Sequence, residues 1–114
     1  MKLISFSYQK NGVPPDADVV VDCRGLRNPH FYPDLRDLDG RDPRVRAFVQ
    51  SDTRLYDIAD KVGEVMHADK VIAFGCFGGR HRSVAVAEII GEGLRRHNIP
   101  VEIEHRALGI NSSN

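Results

Sequence analysis

Apolar positions along this chain follow two rhythms. LISFSY at 3–8, VVVDC at 19–23 and VIAFGC at 71–76 are short apolar runs with the length and β-branched content of strands. The first three positions of VVVDC carry no polar side chain, the pattern of a strand buried on both faces. VEIEHR at 101–106 alternates instead, placing Val101, Ile103 and His105 on one face and charges on the other. Between these runs the spacing lengthens to that of helices. Leu55, Ile58, Ala59, Val62, Val65 and Met66 form one amphipathic stripe, with Asp57, Asp60, Lys61 and Glu64 turned to water. Val86, Ile89, Ile90 and Leu94 form another, with Glu88, Glu92, Arg95 and Arg96 on its wet side. A shorter helical piece covers 45–49. HADK closes the first long helix, and Asn98-Ile99-Pro100 ends the second.

The punctuation is as informative as the periods. QKNGVPPDAD after the first strand contains Asn11-Gly12 and two prolines, so it reads as a turn. RGLRNPHFYPDLRDLDGRDP follows neither period and reads as a long ordered loop, of the kind that in compact domains is usually functional. Strands alternating with helices predict a single small α/β domain: a largely parallel or mixed sheet of about four strands flanked by helices. Ligands in such folds bind beyond the carboxyl ends of the strands. If VVVDC and VIAFGC run parallel, their loops emerge together and bring Asp22, Arg24, Asn28 and His30 toward Gly78, His81 and Arg82.

Composition narrows the picture further. At 114 residues the chain is one domain that can bury roughly 65% of its unfolded surface without metal or disulfide staples. Cys23 and Cys76 belong to no zinc spacing and read as free thiols in a reducing cytosol. The apolar start of MKLISFSYQKNG is too short for a signal peptide, and no run approaches a membrane span, so the expectation is a soluble, cytoplasmic protein. Formal net charge is zero, so no global field draws the chain to nucleic acid or membranes, and any polyanion affinity must be local. Arginine outnumbers lysine and concentrates at 24–46, at Arg80 with Arg82, and at Arg95, Arg96 and Arg106. The first two groups can serve one pocket. The third reads as solvated surface, with Glu92 and Arg96 at i,i+4 spacing.

The candidate chemistry lies in GCFGGRHRSV. Gly78 and Gly79 allow a tight turn with backbone N–H groups inward at the start of a helix, where an anion is stabilised. Arg82 adds a planar fork for phosphate, and Arg80, His81 and Ser83 add further donors. The same stretch spaces Cys76 and Arg82 as Cys-x5-Arg, which is also the spacing of cysteine-dependent phosphatases. In that enzyme reading Cys76 is the nucleophile and Asp34 or Asp37 the general acid. His30 and His81 are each capable of contacting phosphate or moving a proton. His105 reads as structural, and His67 and His97 as capping or solvated.

The order SFSYQKNGVPPDAD, VVVDCRGLRNPHFYPDLRDLDGRD, GCFGGRHRSVAVAE and EHRAL resembles the C-terminal domain of RapZ, the RNase adapter protein, and its YvcJ-like relatives. The resemblance covers most of the chain, and the blocks N-P-H and G-C-x-G-G-x-H-R-S-V carry it. It implies an α/β domain similar to a phosphofructokinase subdomain, one that senses glucosamine 6-phosphate and takes part in binding small regulatory RNAs. By residue matching it implies a phosphosugar pocket of His30, Gly78, Gly79, His81 and Arg82. Three departures stand out. No G-x-x-x-x-G-K-[ST] occurs, so the nucleotide hydrolysis of an N-terminal P-loop domain is not carried over and the chain reads as a stand-alone domain over 1–114. Phe77 stands where the family often has threonine, and Arg80 where glutamine is usual. HRALGINSSN lacks a basic tail.

The expected function is therefore a phosphometabolite sensor or adapter without cofactor or metal. Its phosphate site draws on Arg24, His30, Cys76, Phe77, Gly78, Gly79, Arg80, His81, Arg82 and Ser83. The expected partners are a small phosphorylated metabolite and, beyond it, RNA, a protein or a second copy of the chain. The phosphatase stands as the alternative.

Overall fold

The computed structural model describes residues 1–65 and 69–113. Met66 of the apolar stripe, His67 and the HADK helix stop thus fall wholly or partly outside the described residues.

The strands are β1 (Lys2–Ser7), β2 (Val19–Asp22), β3 (Val71–Cys76), β4 (Glu102–His105) and β5 (Ile110–Ser113). The helices are α1 (Pro33–Arg36), α2 (Pro43–Gln50), α3 (Leu55–Gly63) and α4 (Arg82–Arg96). They form one mixed five-stranded sheet in the order β2-β3-β1-β4-β5, parallel except for the β4–β5 pair. Residues at alternate positions of β1 divide the interior. Leu3 joins Ile72 in β3, Ile103 in β4, Val45 and Val49 of α2, Ile58 and Val62 of α3, and Val86 and Leu94 of α4 in the main core. Ile4, Phe6 and Ala73, fully buried on the opposite side, form a small second cluster covered by Tyr8, Ala17 and Val71. The period-2 and period-3.6 patterns therefore converge on one face, where α4 lies along β1 and β3.

Two expectations require correction, and the sheet gains a strand that the periodicity does not mark. VVVDC is not buried on both faces: β2 is an edge strand, and Val20 is 39% exposed. An unbroken β-branched run reports strand propensity but not the position of the strand in its sheet. The mixed sheet, expected to have about four strands, has five. Polar INSS pairs antiparallel with β4 because a turn at 106–109, closed by Gly109 at φ +68°, reverses the chain and sets Ile110 opposite His105. Finally, Glu88 does not face water freely. Its side chain is 24% exposed, and its carboxylate lies 3.9 Å from Nε2 of His105, a residue 3% exposed whose Nδ1 is 2.6 Å from the Ser5 hydroxyl. The neighbouring His105 imidazole holds the Glu88 carboxyl below its ordinary value against the opposing effect of burial.

The long loop after β2 is more structured than its composition predicts. Asn28 caps a 3-10 turn at Pro29–Phe31 by accepting from the His30 N–H, and Pro33 opens the single turn of α1. Gly40 then runs against the start of α4, with its N–H donating to the Arg80 carbonyl at 2.9 Å. A Cβ there would lie 2.3 Å from the Ala85 nitrogen, so only glycine allows this approach. Asn98, at φ +60°, and Pro100 end α4 as the sequence predicts.

Candidate functional site

Asp22 pairs with Gly75, so β2 and β3 end side by side and release their loops on the same edge of the sheet. Three carbonyls of the loop from Phe77 to His81 are engaged. Ser7 Oγ donates to the Phe77 carbonyl at 2.7 Å, the Gly40 N–H to that of Arg80, and the Ala85 N–H to that of His81. Gly79 makes the turn at φ +67°, its Cα so close to β1 that a Cβ would lie 2.8 Å from the Ser7 nitrogen. With the carbonyls so engaged, the N–H groups of residues 78–81 have no protein acceptor among the described residues. They gather at the first turn of α4, whose own N–H groups carry a partial positive charge. Beneath them the Cys76 thiol, 2% exposed, donates to Ser83 Oγ at 3.1 Å and accepts from the Ser83 N–H at 3.4 Å, tying β3 to α4.

These elements frame a cavity of about 400 Å³ lined by Cys76, Phe77, Gly78, Arg80, His81 and Arg82 from the β3–α4 side, and by Asn28, His30 and Phe31 from the long loop. Lys10, from the turn after β1, completes the wall. Arg82 is 7% exposed. Its Nη1 donates to the carbonyls of Arg24 at 2.7 Å and Leu26 at 3.3 Å, while Nε and Nη2 have no protein acceptor among the described residues. One edge of the fork braces the two loops and the other remains available to an anion. His81 is also 7% exposed, with Nε2 3.0 Å from the Arg36 carbonyl. An imidazole facing a carbonyl through Nε2 carries its proton there, which leaves Nδ1 as the lone-pair nitrogen of the neutral ring. Burial pushes the His81 pKa below its ordinary value and the Arg80 and His30 charges add to this, against the raising effect of backbone contacts at Arg36 and Leu38. The rings of His30 and His81 stand 6.4 Å apart.

The structure brings together most of the residues the sequence proposes for the site. Gly79 and Ser83 lie behind the loop and shape it without lining the cavity. Arg24 does not line the cavity either. Its guanidinium turns to Asp22, 2.7 Å away, and stacks 4.0 Å above the Tyr8 ring, so only its backbone carbonyl serves the site. No carboxylate lines the cavity among the described residues. Asp34 stands in the first turn of α1, and Asp37 offers its carbonyl, at 2.9 Å, to Arg80. Lys10 and Phe31 are additions that local pattern did not reveal.

One repeated signal sorts the arginines. Asp22, Asp39, Asp42 and Asp52 each accept from the backbone N–H and the guanidinium of the arginine two residues later, namely Arg24, Arg41, Arg44 and Arg54. The arginine contact lowers each carboxyl's pKa, that of buried Asp52 most strongly. Such pairs add little stability, but they cancel charge. Arg80 and Arg82 have no carboxylate partner among the described residues and donate only to carbonyls. Arg80 and Arg82 thus bring to the cavity positive charge that no carboxylate among the described residues cancels.

Among the described residues no cluster of three His, Cys, Asp or Glu side chains is placed to hold a metal, and no helix is long and apolar enough to cross a membrane.

Comparison with known proteins places this arrangement in a family. A family model described as the RapZ C-terminal domain matches residues 1–109. Proteins named "Nucleotide-binding protein" from Acidiphilium cryptum and Thermobifida fusca are 44% and 41% identical over 96% and 94% of this chain. One from Cereibacter sphaeroides (strain ATCC 17025) is 45% identical over 91% of it. The chain spans only 38–40% of the length of these curated relatives. With the family model spanning both loops of the cavity and strands β1 to β4, the chain belongs to the family of the RapZ C-terminal domain.

Proposed function

We propose that this domain is a cytoplasmic sensor or adapter module that binds the phosphate of a small phosphorylated metabolite in the loop between β3 and α4. The observation that carries the reading is the division of labour within that loop, where the carbonyls of Phe77, Arg80 and His81 are engaged while the N–H groups of residues 78–81 face no protein acceptor among the described residues. Each charge-assisted hydrogen bond to an anion is worth about 1.5–3 kcal/mol, and several converge here with Arg82. The family resemblance nominates glucosamine 6-phosphate as the first ligand to test. Inorganic phosphate, glucose 6-phosphate and glucosamine 6-phosphate should each raise the unfolding midpoint, by about 2.7 kcal/mol of stability at 100 times Kd. Failure of all three to stabilise the domain would remove the reading.

Two other chemistries have weaker support. A Cys76 phosphatase has its thiol at the cavity floor, but no carboxylate in the lining to protonate a leaving group. RNA binding through the arginine-rich loop loses much of its basis in the Asp-x-Arg pairs, which neutralise Arg24, Arg41 and Arg44.

A further inference from the structure

We infer that Asp52, outside the cavity, is a positioning residue for Arg82: it holds the Leu26–Arg27 peptide whose carbonyl the Arg82 guanidinium grips, and so sets the fork that faces a bound phosphate. The inference rests on the phosphate reading above and concerns what holds the site, whatever the rest of the ligand is. Asp52 lies in the turn between α2 and α3 and is 6% exposed. Its Oδ2 accepts from the Arg27 N–H at 2.9 Å, a bond that reaches back 25 residues. The carbonyl of the same peptide unit, that of Leu26, accepts from Arg82 Nη1 at 3.3 Å, beside the shorter bond from Arg82 to the Arg24 carbonyl. One peptide group is thus clamped at both ends, by a buried carboxylate on one side and by the cavity arginine on the other. The negative charge of Asp52 polarises this peptide and makes its carbonyl a better acceptor for the guanidinium.

Comparison with the other Asp-x-Arg pairs shows what is particular to Asp52. The side chains of Asp22, Asp39 and Asp42 are 48%, 16% and 24% exposed, and among the described residues each bonds only to its own arginine. That of Asp52 is 4% exposed and bonds to Arg54 in the same way, but adds the Arg27 N–H. Burying a carboxylate is costly, and the local pair forms without burial in the other three. The additional contact of the buried one is the distant peptide. The Arg54 guanidinium, helped by the two backbone N–H groups, holds the Asp52 carboxyl far below its ordinary value against burial, so the clamp stays charged. Arg27 is fastened by its side chain as well, stacking 4.4 Å from the Phe48 ring of α2 and donating from Nη2 to the Tyr32 hydroxyl at 2.9 Å. Asn28 and His30, which line the cavity, follow directly.

The test compares three variants of the chain. Asp52→Asn and Asp52→Ser remove the charged acceptor from the Arg27 N–H, whereas Arg54→Ala opens the local ion pair and leaves that acceptor in place. Calorimetric titration with inorganic phosphate and glucosamine 6-phosphate should show the Asp52 variants weakened at least about fivefold, the worth of one hydrogen bond, and Arg54→Ala within about twofold of the parent. In the ligand-free chain the Nε–H resonance of Arg82 should shift in the Asp52 variants and stay in place in Arg54→Ala, a pattern that loss of stability alone does not produce. Thermal midpoints establish which variants are folded, and either Asp52 variant suffices. Parent-like affinity in a folded Asp52 variant, an unmoved Arg82 resonance, or an equal loss in Arg54→Ala would overturn the inference while leaving the phosphate site intact. A parent chain that binds neither probe would instead remove the phosphate reading, and the inference with it.

Discussion

Nη1 of Arg82 donates to the backbone carbonyl of Arg24 at 2.7 Å, so the first residue of α4 is fastened to the loop that leaves β2. The same guanidinium holds two duties, bracing the loops and facing the cavity. Arg82→Lys should therefore lower stability by about 2 kcal/mol and phosphate affinity at least tenfold, because an ammonium cannot reproduce the fork. Arg24→Ala keeps the accepting carbonyl and should cost under about 0.5 kcal/mol. Denaturant midpoints and titration calorimetry on both variants check this, and equal damage from the two would refute the brace.

The two glycines of the loop should respond differently. Gly79 has φ +67°, and a Cβ would approach Ser7 N and Ala107 Cβ to 2.8 Å, so Gly79→Ala should cost about 2 kcal/mol or more. A Cβ at Gly78 meets nothing within 4 Å, and Gly78→Ala should stay within about 0.5 kcal/mol of the parent. Chemical unfolding of the pair reads the difference directly.

Cys76 is held by Ser83 at the cavity floor and is 2% exposed. Cys76→Ser should retain phosphate affinity to within about threefold and lose on the order of 1 kcal/mol of stability. Neither form should release phosphate from phenyl phosphate above background. A steady-state rate that vanished in Cys76→Ser would establish the phosphatase instead.

Acid should act on the site through His81, whose native pKa lies below its ordinary value. Below about pH 6.5 the unfolded chain then binds more protons than the native one. The contribution of neutral His81 is therefore fully present above that pH and is lost as pH falls through the native value. Between pH 7 and 5 the parent should lose stability more steeply than His81→Gln. A bound phosphate raises the His81 pKa, so binding at pH 6.5 should take up protons, visible as a buffer-dependent enthalpy. Parallel pH profiles for parent and variant would exclude this role.

Much of the site could be read before the fold was known. Two apolar runs ending in polar loops, read as parallel neighbours, place His30 beside His81 and Arg82, and the register of Asp22 with Gly75 realises that geometry. What remained hidden depends on pairing across the chain or on conformation. INSS has no strand periodicity of its own and owes its extended form to β4. The edge position of β2 follows from strand order, which the residues of β2 do not encode. Lys10 reaches the cavity only because the turn after β1 folds toward the β3–α4 loop. Arg24, Arg41, Arg44 and Arg54 were visible as charge, and their neutralisation was visible too, as four Asp-x-Arg triplets; the missing step was to read those triplets as closed pairs.

The contact of Gly40 with Arg80 bears on how occupancy of the cavity is communicated. With the long loop tied at Gly40 to the Arg80 carbonyl and packed there too closely for a Cβ, the recess is braced before anything enters it. A braced recess transmits little by moving. On the proposed reading, a bound anion would alter the outward face instead, by cancelling the charge of Arg80 and Arg82. If the domain is the sensor proposed above, its downstream partner would read a surface whose charge is rewritten while its shape stays the same.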